Sequence, residues 1–245
     1  MSDRMNRRLL DLLTAEPVQV GDYVDMLGDV EQPSTGVAQR LMRTSLVPRI
    51  YERYWRPALG RVAKGLAGPS MAEEHRFARE NLALHKGHIV LDVACGTGGF
   101  TRGFAGVVGP EGLAIGLDSS RTMLSRAVAA GGGAVYLRAD AVRPPLRDES
   151  LDAVCCFAAL HMFAEPMVAL DSFARTLKPG GHIAMLTSGR RDQQPLRTVD
   201  TLVGQASGQR MFDRGQIGAA LRARGFTAVV ERYAGLTQLV AGRKD

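Results

Sequence analysis

Short apolar runs alternate with helical patterns from residue 87 to the C-terminus. The strands that these runs predict are His88–Val93, Leu113–Asp118, Ala134–Arg138, Leu151–Phe157, His182–Thr187, Ala228–Tyr233 and Gln238–Gly242. Apolar residues at helical spacing predict helices over Thr122–Ala130, Pro166–Leu177 and Gln216–Arg224. Strands that alternate with helices are typical of a parallel sheet covered by helices on both faces. We therefore expect a doubly wound α/β domain of seven strands, with an antiparallel last strand.

The first 84 residues show helical patterns and no predicted strand. Apolar spacing predicts helices over Asp3–Thr14, from about residue 39 to residue 66, and over Met71–Leu84. We expect residues 1–84 to form a helical appendage that acts as a lid. The second domain then spans residues 85–245.

Composition restricts the class of protein. The 245 residues are 45% hydrophobic and 23% charged, which is close to the average for a globular domain with a large core. The longest apolar run, residues 153–160, is far shorter than the roughly 20 residues of a membrane span. The N-terminus lacks the apolar segment of a secretory signal.

The three cysteines, Cys95, Cys155 and Cys156, lack metal-ligand spacing. We therefore expect free thiols, no metal site and a cytoplasmic location.

The net charge of +6 raises the question of a nucleic-acid partner. Residues 189–245 contain 10 basic and 5 acidic side chains, so most of the excess lies there. These basic residues are interspersed with acidic and apolar ones and form no continuous run. This pattern favours a solvated surface, and nucleic acid is an unfavoured partner.

A glycine turn and an acidic strand end indicate a nucleoside site. Gly96 and Gly98 follow the first predicted strand, where a missing side chain lets a ligand approach the backbone. The second strand ends at Asp118, whose carboxylate is placed to accept hydrogen bonds from a ribose diol. Thr101 stands where a dinucleotide fingerprint has its third glycine, and no phosphate loop is present, so NAD and ATP are unfavoured.

The sequence Asp92-Val-Ala-Cys-Gly-Thr-Gly98 resembles the first motif, D-x-G-x-G-x-G, of the class I S-adenosylmethionine-dependent methyltransferases. Ala94 stands at the first glycine, a departure that is also usual in the ubiquinone and menaquinone biosynthesis methyltransferases. Asp140-Ala141 is similar to the third motif, residues 151–161 to the fourth, and residues 177–181 to the motif before strand five.

The resemblance covers residues 85–245 and implies a Rossmann-like fold that binds S-adenosylmethionine and releases S-adenosylhomocysteine. In this family the acid after strand two binds the ribose, and the residues after strand three meet the adenine. The implied cofactor-binding residues are Asp92, Ala94, Cys95, Gly96, Gly98, Asp118, Ser119, Met123, Asp140, Ala141 and Phe157. Asp92 could equally serve only to shape the turn.

Candidate acceptor residues lie after strand four and in the predicted lid. His161 follows strand four, and its ordinary pKa suits a catalytic base, although packing against the lid or capping a local turn is the favoured alternative. In the lid, Tyr51, Tyr54 and Trp55 could wall the cleft, and Arg53 could hold an acidic acceptor. Core packing and solvent exposure are the alternatives for these four residues.

The sequence also bears on the acceptor. Phe157-Ala-Ala-Leu160 replaces the [DN]-P-P-[FYW] motif of N-methyltransferases, so amino groups are unfavoured. Residues 34–36 and 50–57 are similar to segments of actinobacterial relatives, some of which methylate fatty-acid carboxylates. We expect methylation of an oxygen, or second a carbon, of a small and fairly apolar metabolite such as a lipid carboxylate, polyketide or quinone precursor.

Other functions stay open at this point. The alternatives are a nucleic-acid methyltransferase, a nicotinamide oxidoreductase and a non-catalytic protein that binds S-adenosylmethionine. A homodimer is an open alternative to a monomer.

Overall fold

The computed structural model describes residues 2–29 and 70–245. These residues contain one nine-stranded sheet. Its strands are β1 (Gln19–Val20), β2 (Val24–Asp25), β3 (Ile89–Val93), β4 (Leu113–Asp118), β5 (Val135–Arg138), β6 (Leu151–Phe157), β7 (Leu177–Ser188), β8 (Phe226–Ala234) and β9 (Thr237–Lys244). The helices are α1 (Ser2–Leu10), α2 (Met71–Leu82), α3 (Gly99–Val108), α4 (Arg121–Ala129), α5 (Pro166–Thr176), α6 (Leu196–Ser207) and α7 (Gln216–Arg222), with a short 3₁₀ helix at Leu160–Met162.

The strand order is β1-β2-β5-β4-β3-β6-β7-β9-β8. The strands from β2 to β7 in this order are parallel, whereas β1 is antiparallel to β2, and β9 is antiparallel to both β7 and β8. After β3 the chain builds β4 and β5 on one side and then crosses to place β6 on the other. Such a reversal opens a crevice at the carboxyl ends of β3 and β6, which is where doubly wound folds bind ligands. The predicted fold class is confirmed.

The predicted strand count is wrong, because β1 and β2 extend the sheet beyond β5. Each has only two residues, too few to show the alternation of apolar and polar positions that identifies a strand. Val24 pairs with Leu137 of β5 and is fully buried, so tertiary contact forms this strand. The prediction of a strandless N-terminal region is therefore also wrong.

Other elements also differ from expectation. Helix α1 ends at Leu10, four residues before the predicted end. Strand β7 starts at Leu177, because residues 177–181, expected to precede the strand, continue it past an irregular register opposite Leu151. Helix α6 was not predicted; it exposes apolar side chains such as Leu202 and Val203.

Most of the core lies in two clusters, one on each face of the sheet, and a smaller third cluster contains Leu124, Ala127 and Tyr136. Adjacent strand residues point to opposite faces, so Leu91 joins one cluster and Val90 joins the other. Leu9 of α1 packs into the first cluster, and Phe77 of α2 packs into the second. Burial of each such large side chain contributes about 1.5–3 kcal/mol. Helix α1 is thus part of the sheet's own core.

Helix α2 begins with a complete capping box. The Ser70 hydroxyl accepts a hydrogen bond from the backbone N–H of Glu73, and the Glu73 carboxylate accepts one from the backbone N–H of Ser70. The cap fixes the start of the helix that carries Phe77. The proposed lid residues Tyr51, Arg53, Tyr54 and Trp55 lie outside the described residues, and the boundary at residue 84 stays a prediction.

A buried ion pair joins the N-terminal strands to the sheet. Arg138 Nη1 donates to both carboxylate oxygens of Asp25 at 3.0 Å, and each side chain is only 5% exposed. Burial alone raises the pKa of Asp25, but hydrogen bonds from the Leu27 N–H, Arg138 and the Gly28 N–H outweigh it and hold that pKa below its usual value. The carboxylate therefore stays ionised and neutralises Arg138 within the fold.

Asp25→Asn removes the carboxylate charge that pairs with the buried Arg138 guanidinium. We expect the free energy of unfolding to fall by about 3 kcal/mol or more, measured by urea denaturation followed by circular dichroism. The matched control is Asp29→Asn, because Asp29 pairs with Arg121 at 3.3 Å but is fully exposed. That control should change stability by less than about 1 kcal/mol. Equal effects of the two variants would contradict this account.

Candidate functional site

The turn between β3 and α3 has an unusual backbone. Ala94, Gly96 and Gly98 all adopt left-handed conformations, with φ of 55°, 56° and 73°. Glycine adopts this region freely, whereas alanine does so at a cost of roughly 1–2 kcal/mol. Ala94 is therefore strained at the position where the family motif has a glycine. Strain of this kind is typical of functional sites.

The two glycines of the turn face different surroundings. A Cβ built on Gly98 would lie 2.5 Å from the Tyr136 hydroxyl oxygen, so Gly98 makes room for that tyrosine. A Cβ built on Gly96 would meet no atom of the described residues within 4 Å. Of the two positions, Gly96 faces open space, where a ligand could approach the backbone.

Asp118 joins the turn to the end of β4. Its Oδ2 accepts a hydrogen bond from the Gly96 N–H at 2.9 Å, and its Oδ1 accepts one from the Ser120 N–H at 2.9 Å. Burial raises the pKa of Asp118, and hydrogen bonds from the Ser120, Gly96 and Ser119 N–H groups oppose the rise. The residue is half-buried, and a carboxylate has about four acceptor positions, so room is left for a further donor such as a ribose hydroxyl.

Asp92 and Cys95 lie beneath the turn. Asp92 is 4% exposed, and its Oδ2 accepts a hydrogen bond from the Thr101 hydroxyl at 2.6 Å. This contact ties β3 to α3 and fits the alternative in which Asp92 shapes the turn. The Cys95 thiol lies towards β4, since a Cβ on Gly116 would be 2.9 Å from its sulfur. Burial raises the pKa of this thiol well above its ordinary value, so it stays protonated.

The residues expected at the adenine lie at the ends of β4 and β5. The Ser119 carbonyl accepts a hydrogen bond from Arg138 Nε at 3.0 Å, and Met123 is 6% exposed at the start of α4. Asp140 Oδ1 accepts a hydrogen bond from the Val142 N–H at 2.9 Å. Asp140 and the adjacent Ala141 are half-buried. The structure therefore brings the predicted set to one edge of the sheet.

Phe157 ends β6 on the other side of β3. Its ring centroid lies 4.9 Å from that of Phe100, and the side chain is 7% exposed. Phe157 is thus mainly a packing residue against α3, and its contact with a cofactor stays a prediction.

His161 lies in the 3₁₀ helix that follows β6. Its Nδ1 is 3.3 Å from the Thr187 hydroxyl of β7. Burial lowers the pKa of His161 to about 4, so the imidazole is neutral near neutral pH. An imidazole with such a low pKa is a weak base, since its affinity for a proton has fallen.

A cavity of about 380 Å³ opens beside His161. Met162 and Phe163 line one side, and Arg190, Arg210 and Met211 are among the residues that line the other. The sequence analysis did not identify these residues as functional. The basic excess of the last 57 residues was the signal that could have drawn attention to the two arginines.

Residues 91–185 match the family model described as a methyltransferase domain. An uncharacterized chloroplastic methyltransferase of Arabidopsis thaliana, At2g41040, is 36% identical over 59% of this chain and 42% of its own length. The ubiquinone/menaquinone biosynthesis C-methyltransferase UbiE of Saccharophagus degradans is 34% identical over 45% of this chain and 47% of its own. The chain thus spans about half the length of the curated relatives it matches.

Solved structures share the fold at low sequence identity. An S-adenosylmethionine-dependent methyltransferase from Aquifex aeolicus superimposes with a TM-score of 0.54 at 22% identity, covering 71% of this chain and 90% of that one. The [4+2]-cyclase SpnF gives a TM-score of 0.57 at 19% identity, covering 69% of this chain and 79% of that one.

The doubly wound sheet is a Rossmann-like fold. Together with the match of residues 91–185 to the methyltransferase-domain model and with the UbiE relatives, it supports a class I S-adenosylmethionine-dependent methyltransferase. The predicted family is confirmed, and so is S-adenosylmethionine as the cofactor of that family.

Gly98→Ala should destabilise the fold more than Gly96→Ala. Both changes place alanine at a left-handed position, but only the Gly98 variant forces a methyl group against Tyr136. The difference in the free energy of unfolding should be about 1–3 kcal/mol, the usual cost of overpacking. Adding Tyr136→Phe to Gly98→Ala should recover part of that loss. Equal destabilisation by the two alanine variants would contradict the packing of Tyr136 against Gly98.

The low pKa of His161 predicts a pH-dependent stability. Below about pH 6.5 the unfolded chain binds a proton at this histidine and the folded chain does not, so stability is lost as the pH falls towards 4. Denaturation at pH 7 and pH 4.5 should show that His161→Gln removes roughly 1–3 kcal/mol of this pH-dependent loss. An identical loss in the wild type and the variant would contradict burial as the cause.

Proposed function

We propose that the protein transfers a methyl group from S-adenosylmethionine to a small-molecule acceptor. The observation that carries the proposal is the half-buried Asp118 carboxylate, which is bonded to the Gly96 N–H where the turn faces open space. A carboxylate at this place suits a ribose diol, and an open backbone turn suits the rest of the nucleoside.

The residues present fit the cofactor. Asp118 would accept the ribose hydroxyls, and the turn from Ala94 to Gly98 would hold the amino-acid end through its backbone. Ser119 to Met123 and Asp140-Ala141 would enclose the adenine. When bound, the cofactor supplies a sulfonium methyl group, whose C–S bond breaks as the acceptor bonds to the carbon and the sulfur keeps the electron pair.

His161 restricts the choice of acceptor. The neutral imidazole beside the cavity can accept a hydrogen bond, but its low pKa makes it a poor base for an ordinary alcohol. An acceptor that is already nucleophilic needs no such base. We propose an ionised oxygen first and an electron-rich carbon second, and the name C-methyltransferase carried by the UbiE relatives supports the second.

The proposed setting is a cytoplasmic one with a small-molecule partner. Cys95, Cys155 and Cys156 are all free thiols, which suits a reducing compartment. No described helix combines the length and apolar character needed to cross a membrane. A homodimer stays a prediction.

A second candidate is a reaction other than methyl transfer within the same fold. The likeness to a [4+2]-cyclase shows that this fold accommodates proteins named for other chemistry. An assay that measures S-adenosylhomocysteine release with a panel of acids, phenols and quinols distinguishes the two proposals. Cofactor binding without release of that product on any acceptor would favour the second candidate.

Asp118→Ala should weaken the binding of S-adenosylhomocysteine at least tenfold. The change removes hydrogen bonds to a charged group, worth about 1.5–3 kcal/mol. Isothermal titration calorimetry gives the dissociation constant, and thermal unfolding checks that the variant is folded. Glu111→Gln removes an exposed carboxylate just before β4 and is the matched control. Unchanged affinity in a folded Asp118→Ala protein would overturn the proposed cofactor site.

A further inference from the structure

The cavity beside His161 lies at the end of the sheet where the carboxyl ends of β6 and β7 meet. The 3₁₀ helix after β6 forms one wall, and α6 with residues 208–211 forms the other. Its volume of about 380 Å³ falls within the usual range for small-molecule sites. Because β6 neighbours β3, the cavity opens at the same edge as the glycine turn.

The backbone of Arg210 is fixed at this cavity. Its N–H donates to the His161 carbonyl at 3.0 Å, and its own carbonyl accepts a hydrogen bond from the Ser188 hydroxyl at the end of β7. These two hydrogen bonds fix the backbone of Arg210 between the walls of the cavity. The Cα atom from which its side chain extends therefore has a defined position beside His161.

The guanidinium of Arg210 has no carboxylate partner among residues 2–29 and 70–245. Its one described contact is a long hydrogen bond of 3.4 Å from Nη2 to the Ala164 carbonyl. Arg190, the other lining arginine, is already bonded to Asp213 at 2.8 Å. Arg197 shares the same Asp213 oxygen at 2.9 Å. Arg190 and Arg197 thus share one carboxylate, whereas the exposed Arg210 has none among the described residues.

The rest of the lining is mixed. Met162, Phe163 and Met211 contribute thioether and aromatic surfaces and Ala164 adds a methyl group, while polar groups come from Thr201, Gln205 and Gln209. Methionine adapts its shape to different apolar ligands. The cavity therefore combines one unpaired cation with a flexible apolar wall.

We propose that this cavity binds the carboxylate of a largely apolar acceptor, with Arg210 as the residue that pairs with the anion. A planar guanidinium matches a carboxylate through two parallel hydrogen bonds, which gives both affinity and orientation. Met162, Phe163 and Met211 pack against the apolar body. The inference rests on the proposed function, because it names the class of acceptor for that reaction.

The state of His161 supports this acceptor class. A half-buried neutral imidazole next to the bound anion adds no charge and can donate or accept a hydrogen bond. A carboxylate is ionised near neutral pH without help from a base. The site thus suits a ligand that arrives already charged.

Matched acids and alcohols test the proposal by calorimetry at pH 7.5 and about 0.1 M salt. The probes are decanoate, 4-butylbenzoate and 2-naphthoate, each with the alcohol of the same skeleton, added to protein saturated with S-adenosylhomocysteine. At least one acid should bind at least tenfold more tightly than its alcohol. Arg210→Gln should abolish that preference and leave the affinity for the alcohol within about twofold.

Arg79→Gln is the matched control, because Arg79 is an exposed arginine on α2, and its removal lowers the net charge equally. It should keep the preference for the acid. The proposal is overturned if no acid binds more tightly than its alcohol, or if the preference persists in Arg210→Gln. Failure of the proposed function is visible separately, as the absence of S-adenosylhomocysteine binding in the preceding titration.

Discussion

The hydrogen bond from the Gly96 N–H to Asp118 connects the two strand ends on which the site depends. Gly96 follows β3 and Asp118 ends β4, so the bond fixes the turn against the neighbouring strand at the switch point of the sheet. The left-handed conformations of Ala94 and Gly98 on either side of Gly96 are held in place by this contact and by the packing of Tyr136. These surrounding contacts therefore stabilise the strained backbone conformation of Ala94 and keep the turn preformed for a ligand.

The two ends of the cleft are supported by different parts of the chain. On the proposed adenine side, Arg138 joins the Ser119 carbonyl to the buried Asp25 carboxylate, so the N-terminal strand β2 holds the loop after β4. On the proposed acceptor side, Arg210 bonds through its backbone to His161, so the loop after α6 holds the residues that follow β6. The two proposed subsites are thus supported by segments that lie far apart in the sequence.

The central strands could be predicted, and the candidate cofactor residues could be selected, because their signals are local. A continuous apolar run followed by glycines identifies β3, and an acid at the end of the next buried strand identifies Asp118. Strand β2 and Arg210 could not be predicted, since Val24 becomes a strand only by pairing with β5, and Arg210 meets His161 only in the folded chain. The packing reason for glycine at position 98 could not be predicted either, because the side chain that excludes a Cβ there belongs to Tyr136, 38 residues further along the chain.

Thermal unfolding of the wild-type protein with S-adenosylhomocysteine, and separately with NAD, tests the central claim most directly. At one hundred times its dissociation constant, a ligand of the folded state adds about 2.7 kcal/mol, which corresponds to a rise of roughly 5–10 °C for a chain of this size. The account predicts that rise with S-adenosylhomocysteine and no shift with NAD. A shift with NAD alone, or none with S-adenosylhomocysteine at saturating concentration, would contradict it.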